Sequence, residues 1–191
     1  MAYVYPDATL EPGKLELLTE WLPAQPWFPG GARLRIVGSY RFDDPAGEVG
    51  IEGQLVESDD GTVVHAPLTY RSAPLEGAEV FLVGKTEHSV LGSRWVYDAA
   101  GDPVWWEALV RTVLTGGHQA VIETEADGQR AIREPPTTVR GSGTPGTPVP
   151  PVADLDPVLV RVVGGEVDAD ETLIAHWPGG GPAVLAAVRG S

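Results

Sequence analysis

Glu87, His88 and Ser89 stand side by side in the run GKTEHSVLGSRWVYD, between Gly84 and Gly92, with Arg94, Trp95 and Tyr97 directly after. Acid, imidazole and hydroxyl are the groups of hydrolytic catalysis, where histidine deprotonates a serine and a carboxylate orients the histidine. Contiguity argues against that relay. In an extended chain Glu87 and Ser89 share one side while His88 faces the other, and in a tight turn all three splay outwards. The stretch is therefore expected to be a turn that launches a strand, with Gly84 letting the backbone reverse and Gly92 marking a bulge or close approach. Glu87, His88, Ser89, Arg94, Trp95 and Tyr97 remain as a candidate binding surface. An indole face and a guanidinium fork together suit a sugar ring and its hydroxyls. If the chain is a small enzyme instead, the expected pair is His88 with Glu87 or Glu52, acting as acid and base in one pocket.

Other chemistries lack their residues. Phosphoryl transfer needs a glycine-rich phosphate cradle, a catalytic Asp and magnesium carboxylates at set spacings. There is no GxxxxGK[ST] run, and the GGARLR at Gly30 leads into a strand pattern rather than a helix. No GxSxG is present; the serine of GSGTPG lies where no scaffold would hold it. His65, His88, His118 and His176 are too scattered for a helical zinc motif. No catalytic residue, metal site or cofactor is therefore expected. Cysteine is absent, which removes disulfides and thiolate chemistry. A net charge of −14 repels phosphate backbones and anionic lipids, so neither nucleic acid nor membrane is an expected partner. With no signal-peptide pattern at the start and no long apolar run, the expected location is cytoplasmic.

The elements that must position these residues follow from periodicity. Leu15, Leu18 and Leu22, with Leu17 and Trp21 alongside, predict an apolar helix face stopped by Pro23 and Pro26. In ARLRIVGSYRF, Leu34, Ile36, Tyr40 and Phe42 alternate with arginines, predicting a half-buried strand. EVGIEGQLVES and TVVHAPLTYR continue the alternation across a DDG hairpin signal. Pro67 cannot feed a ladder, which predicts an edge or a bulge for that third strand. SVLGSRWVYD reads as a fourth strand. In DPVWWEALVRTVLTGG, Asp102 is placed to cap a second helix, Pro103 to begin it and Gly116 or Gly117 to end it. Trp106, Leu109, Val110 and Val113 form its apolar stripe. HQAVIETEA predicts a further strand. The proline, glycine and threonine of 134–151 predict a linker. Residues 152–191 then hold short β patterns, too few for an independent core, expected to dock on the main sheet. The expected fold is α+β: a curved, mainly antiparallel sheet with two helices on one face and C-terminal hairpin strands.

Four runs in order, GKLELLTEWLPAQPWF, DDPAGEVGIE, PLTYRSAPLEGAE and EHSVLGSRWVYDAAGDPV, resemble the maltokinase N-terminal cap domain, and more closely its stand-alone cap-like relatives. The resemblance runs from about Lys14 to Gly116 and places a cap-like domain at 1–133. It implies a curved antiparallel sheet with helices, which in the kinases packs on the kinase N-lobe and carries no catalytic residue. The implied setting is glycogen, maltose or trehalose metabolism, with a protein partner, self-association or an α-glucan or maltose-like sugar as what the domain recognises. Relatives of this kind are sometimes labelled 1,4-α-glucan branching proteins. A branching enzyme's barrel alone takes roughly 250 residues, so that activity is not expected from this chain.

Overall fold

The computed structural model describes residues 8–126, 129–133 and 135–189, with backbone alone within 122–133. Residues 1–7, where the signal-peptide reading begins, lie outside the described residues, as do 127, 128, 134, 190 and 191, at the ends of the expected segments. The first half runs β1 (Leu10–Glu11), α1 (Lys14–Trp21), β2 (Arg35–Phe42), β3 (Gly50–Glu57), β4 (Val63–Arg71), β5 (Leu82–His88), β6 (Gly92–Asp98) and α2 (Pro103–Leu114). The second half is strand: β7 (Ile122–Ala126), β8 (Gln129–Arg133), β9 (Thr138–Gly141), β10 (Asp156–Leu159), β11 (Glu171–Trp177) and β12 (Gly180–Arg189). One antiparallel sheet has the order β1-β5-β6-β4-β3-β2 and curls into a half-barrel; a second has the order β10-β12-β11-β9; β7 and β8 pair as a hairpin. The α+β class and the curved antiparallel sheet are as expected.

The placement of the helices differs from expectation. Leu17, Leu18 and Leu22 pack with Val56, Val64, Ala66, Leu68 and Val96 in one core cluster. Trp105, Leu109, Val110 and Val113 of α2 pack in another, with Tyr40, Phe42, Ile51 and Leu55. Ile51 and Leu55 project from the opposite side of β3 to Val56, so the helices cover opposite faces of the main sheet. The second face is shared with the C-terminal sheet, which contributes Val139, Leu173, Ala175, Leu185 and Val188. Both sides of β3 are thus covered, and even Glu52 and Gln54 are buried. Leu15, expected in the α1 stripe, is exposed.

Two local features overturn simple alternation. A bulge at Val37 shifts the β2–β3 register between Ile36 and Gly38. One extra residue reverses which side later residues face. Leu34 and Ile36 therefore join the α1 cluster, while Tyr40 and Phe42 join the α2 cluster. Pro67 sits in an interior strand, not at an edge. The far side of β4 is shared by two neighbours: the amide of His65 donates to the Arg161 carbonyl at 2.8 Å, and pairing with β6 begins only at Leu68. Pro67 occupies the gap between them, where no donor is needed. The 134–151 stretch read as a linker is partly built in, since Thr138–Gly141 pairs with β11.

Helix α2 starts where expected. The Asp102 carboxylate accepts the Val104 amide at 3.0 Å and both Nε and Nη2 of Arg71 at 2.7 Å each. Among the described residues no helix is long and apolar enough to cross a membrane.

Candidate functional site

The Glu-His-Ser motif forms the tip of the β5–β6 hairpin. His88 is the last residue of β5, and Ser89 to Leu91 turn the chain into Gly92 at a positive φ of 73°. The imidazole Nδ1 accepts the amides of Val90 and Leu91 at 3.2 Å each, so His88 ties the turn directly after it. A ring nitrogen that accepts two amides carries no proton, which leaves the proton of the neutral ring on Nε2. Desolvation, and then the charges of Arg94 and Arg41, lower the His88 pKa and favour that neutral form.

Register separates the six candidate residues. Lys85 pairs with Trp95 and Glu87 with Ser93, while Thr86 pairs with Arg94 and His88 with Gly92. His88 and Arg94 therefore face the α1 side and line a cavity of about 710 Å³. Glu87 lies on the other side and is exposed, accepting the Ser93 hydroxyl at 2.5 Å. Ser89 belongs to the backbone frame: its Oγ accepts the Thr9 amide and its amide donates to the Thr9 carbonyl, both at 3.0 Å. Trp95 is half-buried with the Lys85 ammonium 4.8 Å from its ring centroid. Tyr97 is no surface residue. It is 2% exposed, and its hydroxyl accepts the Leu75 amide at 2.9 Å. No aromatic sugar platform forms from Trp95 and Tyr97, because Tyr97 is core and Trp95 is covered by a cation.

The cavity gathers residues that the sequence patterns leave apart. On its floor the Glu52 carboxylate, 4% exposed, meets the Lys14 ammonium at 2.6 Å, the Arg41 guanidinium, and the Gln54 amide at 3.0 Å. Burial alone would raise the Glu52 pKa. The charges of Lys14 and Arg41 outweigh that and hold it below the usual carboxylate range. The buried Tyr70 hydroxyl lies beside the Glu52 carboxylate, outside well-formed hydrogen-bond geometry. Desolvation first, and then the Glu52 charge nearby, push its pKa well up, so it stays a neutral phenol. The loop between β2 and β3 closes the other wall with Asp43, Asp44 and Glu48. Asp44 shapes that loop by accepting the amides of Ala46, Glu48 and Val49.

His88 and Glu52 thus share one cavity, whereas Glu87 does not line it. Lys14, Arg41 and Tyr70 were legible only as a helix start and as polar or apolar sides of strands. The signal for them was the Arg41–Glu52 cross-strand pairing, which emerges once the register is known.

No curated protein matches the chain in sequence. Residues 21–102 match the family model described as the maltokinase N-terminal cap domain. The matched stretch runs from the end of α1 through β2 to β6 and ends at the residue that caps α2, and over it the chain is similar to that cap domain.

Proposed function

We propose that the chain is a non-catalytic, cap-like protein that recognises a partner in α-glucan, maltose or trehalose metabolism. The observation that carries this reading lies C-terminal to the cap segment. Directly after residue 102, α2 and the four-stranded sheet of β9 to β12 pack onto the cap sheet's second face. That face is covered by the chain's own residues, and among the described residues no cluster of carboxylates or histidines is arranged to hold a metal ion. Recognition then falls to the surface left open, the hairpin tip and the cavity behind it. A cytoplasmic setting fits this role. Pure protein incubated with ATP and maltose, and separately with amylose, should form neither a phosphosugar nor a new branch. Cross-linking in cells should join it to an enzyme that handles these sugars, or to itself. Turnover of either substrate, abolished by His88→Ala, would sink the reading.

A second reading, a small enzyme, is favoured by one observation: His88, held neutral, and the ionised Glu52 line the same cavity. Against it, Glu52 is already saturated by Lys14, Arg41 and Gln54. A base so held has little capacity left to take a proton.

A further inference from the structure

We propose that the cavity enclosed by α1, the β2–β3 loop and the β5–β6 hairpin is a binding site for a small, neutral, polyhydroxylated molecule of monosaccharide or disaccharide size. This rests on the reading above, which leaves recognition to the hairpin tip and the cavity behind it, and names the chemistry that the cavity takes.

The volume, about 710 Å³, lies within the roughly 300–1,000 Å³ range of small-molecule sites. The lining selects the chemistry. Its cations are Lys14, Arg41 and Arg94, and its carboxylates are Asp43, Asp44, Glu48 and Glu52, so three positive charges face four negative ones, with His88 neutral. A phosphate or carboxylate ligand would enter a wall of net charge about −1 in a chain of net charge −14, and is disfavoured. A cationic ligand would meet Lys14 and Arg41 at the floor. A hydroxyl suits such a lining because it donates and accepts at once: carboxylates accept its O–H hydrogen bond, and guanidinium or ammonium groups donate to its lone pairs. Leu10, Val49 and Leu91 provide apolar surface on which the C–H faces of a ring can rest.

The site is built, not incidental. Glu52 is buried and fixed from three sides before any ligand arrives, which lowers the ordering cost of binding. The Tyr70 hydroxyl on the floor is buried beside the Glu52 carboxylate without well-formed hydrogen-bond geometry to the described residues, so a ligand hydroxyl can compete for it. Among the described residues Arg94, by contrast, is hydrogen-bonded at the Ser93 carbonyl beside it, at 3.0 Å. Its remaining donors can turn to a ligand without disturbing the core.

The test is amide chemical-shift mapping of the ¹⁵N-labelled chain with glucose, maltose and myo-inositol, against glucose 6-phosphate and inorganic phosphate. Neutral polyols should shift the amides of residues 43–50 and 88–94 in a saturable way. Arg94→Ala should weaken binding about tenfold, the equivalent of one charged hydrogen bond, with an unchanged amide spectrum elsewhere. If that variant fails to fold, Glu48→Gln at the exposed rim should show a several-fold loss. The proposal is overturned if no neutral polyol shifts these amides at tens of millimolar. It is equally overturned if either phosphate compound binds more tightly, or if the substituted protein binds as the original does. Loss of this site would leave the partner and turnover assays free to decide the docking role.

Discussion

His65 lies fully buried between the two sheets, with Nε2 2.9 Å from the Tyr40 hydroxyl and Nδ1 3.2 Å from the Leu185 carbonyl. The neutral ring satisfies both contacts, Nδ1–H donating to the carbonyl and Nε2 accepting from the phenol. Burial first, and then the charge of Arg161, pull its pKa down to about 3. The unfolded chain protonates the same ring near 6.5. Between those values the unfolded state binds the extra proton, so stability falls as pH falls, by up to about 1.4 kcal/mol per pH unit. Glu52, whose pKa is also lowered, adds a loss of the same sign below the ordinary glutamate range. Urea midpoints should be level above pH 7 and decline between 6.5 and 4.5. His65→Gln should lower the midpoint at pH 7.5 and remove most of that upper slope; a slope that survives would assign it elsewhere. Gly53 is constrained differently. A Cβ there would fall inside the Tyr40 ring across the strand pair, so Gly53→Ala should cost several times the cost of Gly61→Ala. That second glycine is a turn residue whose Cβ would meet open space, and the two midpoints measured together separate packing from backbone strain.

At the scale of elements, Asp102 joins a cap to an ion pair. Its carboxylate, fully buried, accepts the Val104 amide and the Arg71 fork together. Asp102→Ala removes both, and should destabilise by about 3–4 kcal/mol, most of it from leaving the half-buried Arg71 uncompensated. Asp102→Asn keeps the capping oxygen and should lose somewhat less; equal losses in denaturant titrations would show that the pair, not the cap, carries the whole effect. This cap was legible in sequence because Asp-Pro before an apolar stripe is a local signal. The strands β2, β3, β4 and β6 were legible for the same reason. What decided the faces was not local. The Val37 bulge has no sequence mark, yet it sends Ile36 and Tyr40 to opposite cores. Pro67 was read correctly as missing a donor, but the gap it fills exists only because residues 161–163 arrive from far along the chain. The cavity shares that fate. His88, Arg94 and Glu52 could be named as candidates, while Lys14, Arg41 and Tyr70 join them only through the register and curl of a sheet whose turns are local and whose closure is not.

For the whole molecule, the second core cluster runs from Tyr40 on β2 to Val188 on β12. The segment matched by the family model therefore shares its interior with the C-terminal strands. Polar links reinforce the junction: Arg161 meets the buried Asp98 carboxylate at 2.5 Å and lies 4.4 Å from the centroid of the Trp27 ring. Val64 and Val162 add a bridge between the main sheet and the segment leading to β11. Stopping the chain after residue 133 would uncover Tyr40, Phe42, Leu55 and the inner side of α2. Each large side chain so exposed forfeits about 1.5–3 kcal/mol, against a total stability of about 5–15 kcal/mol for a domain. The full chain should therefore unfold in one transition, with the fluorescence of its six tryptophans and far-ultraviolet dichroism reporting the same urea midpoint. The chain ending at 133 should show no cooperative transition and should bind a hydrophobic dye. If it unfolds cooperatively instead, the half-barrel sheet stands without its second sheet, and the cavity can be studied on the shorter chain. If it does not, every substitution that loosens Arg161 or Leu185 will also be felt at the cavity, because β3 carries Leu55 toward one core and Glu52 toward the other.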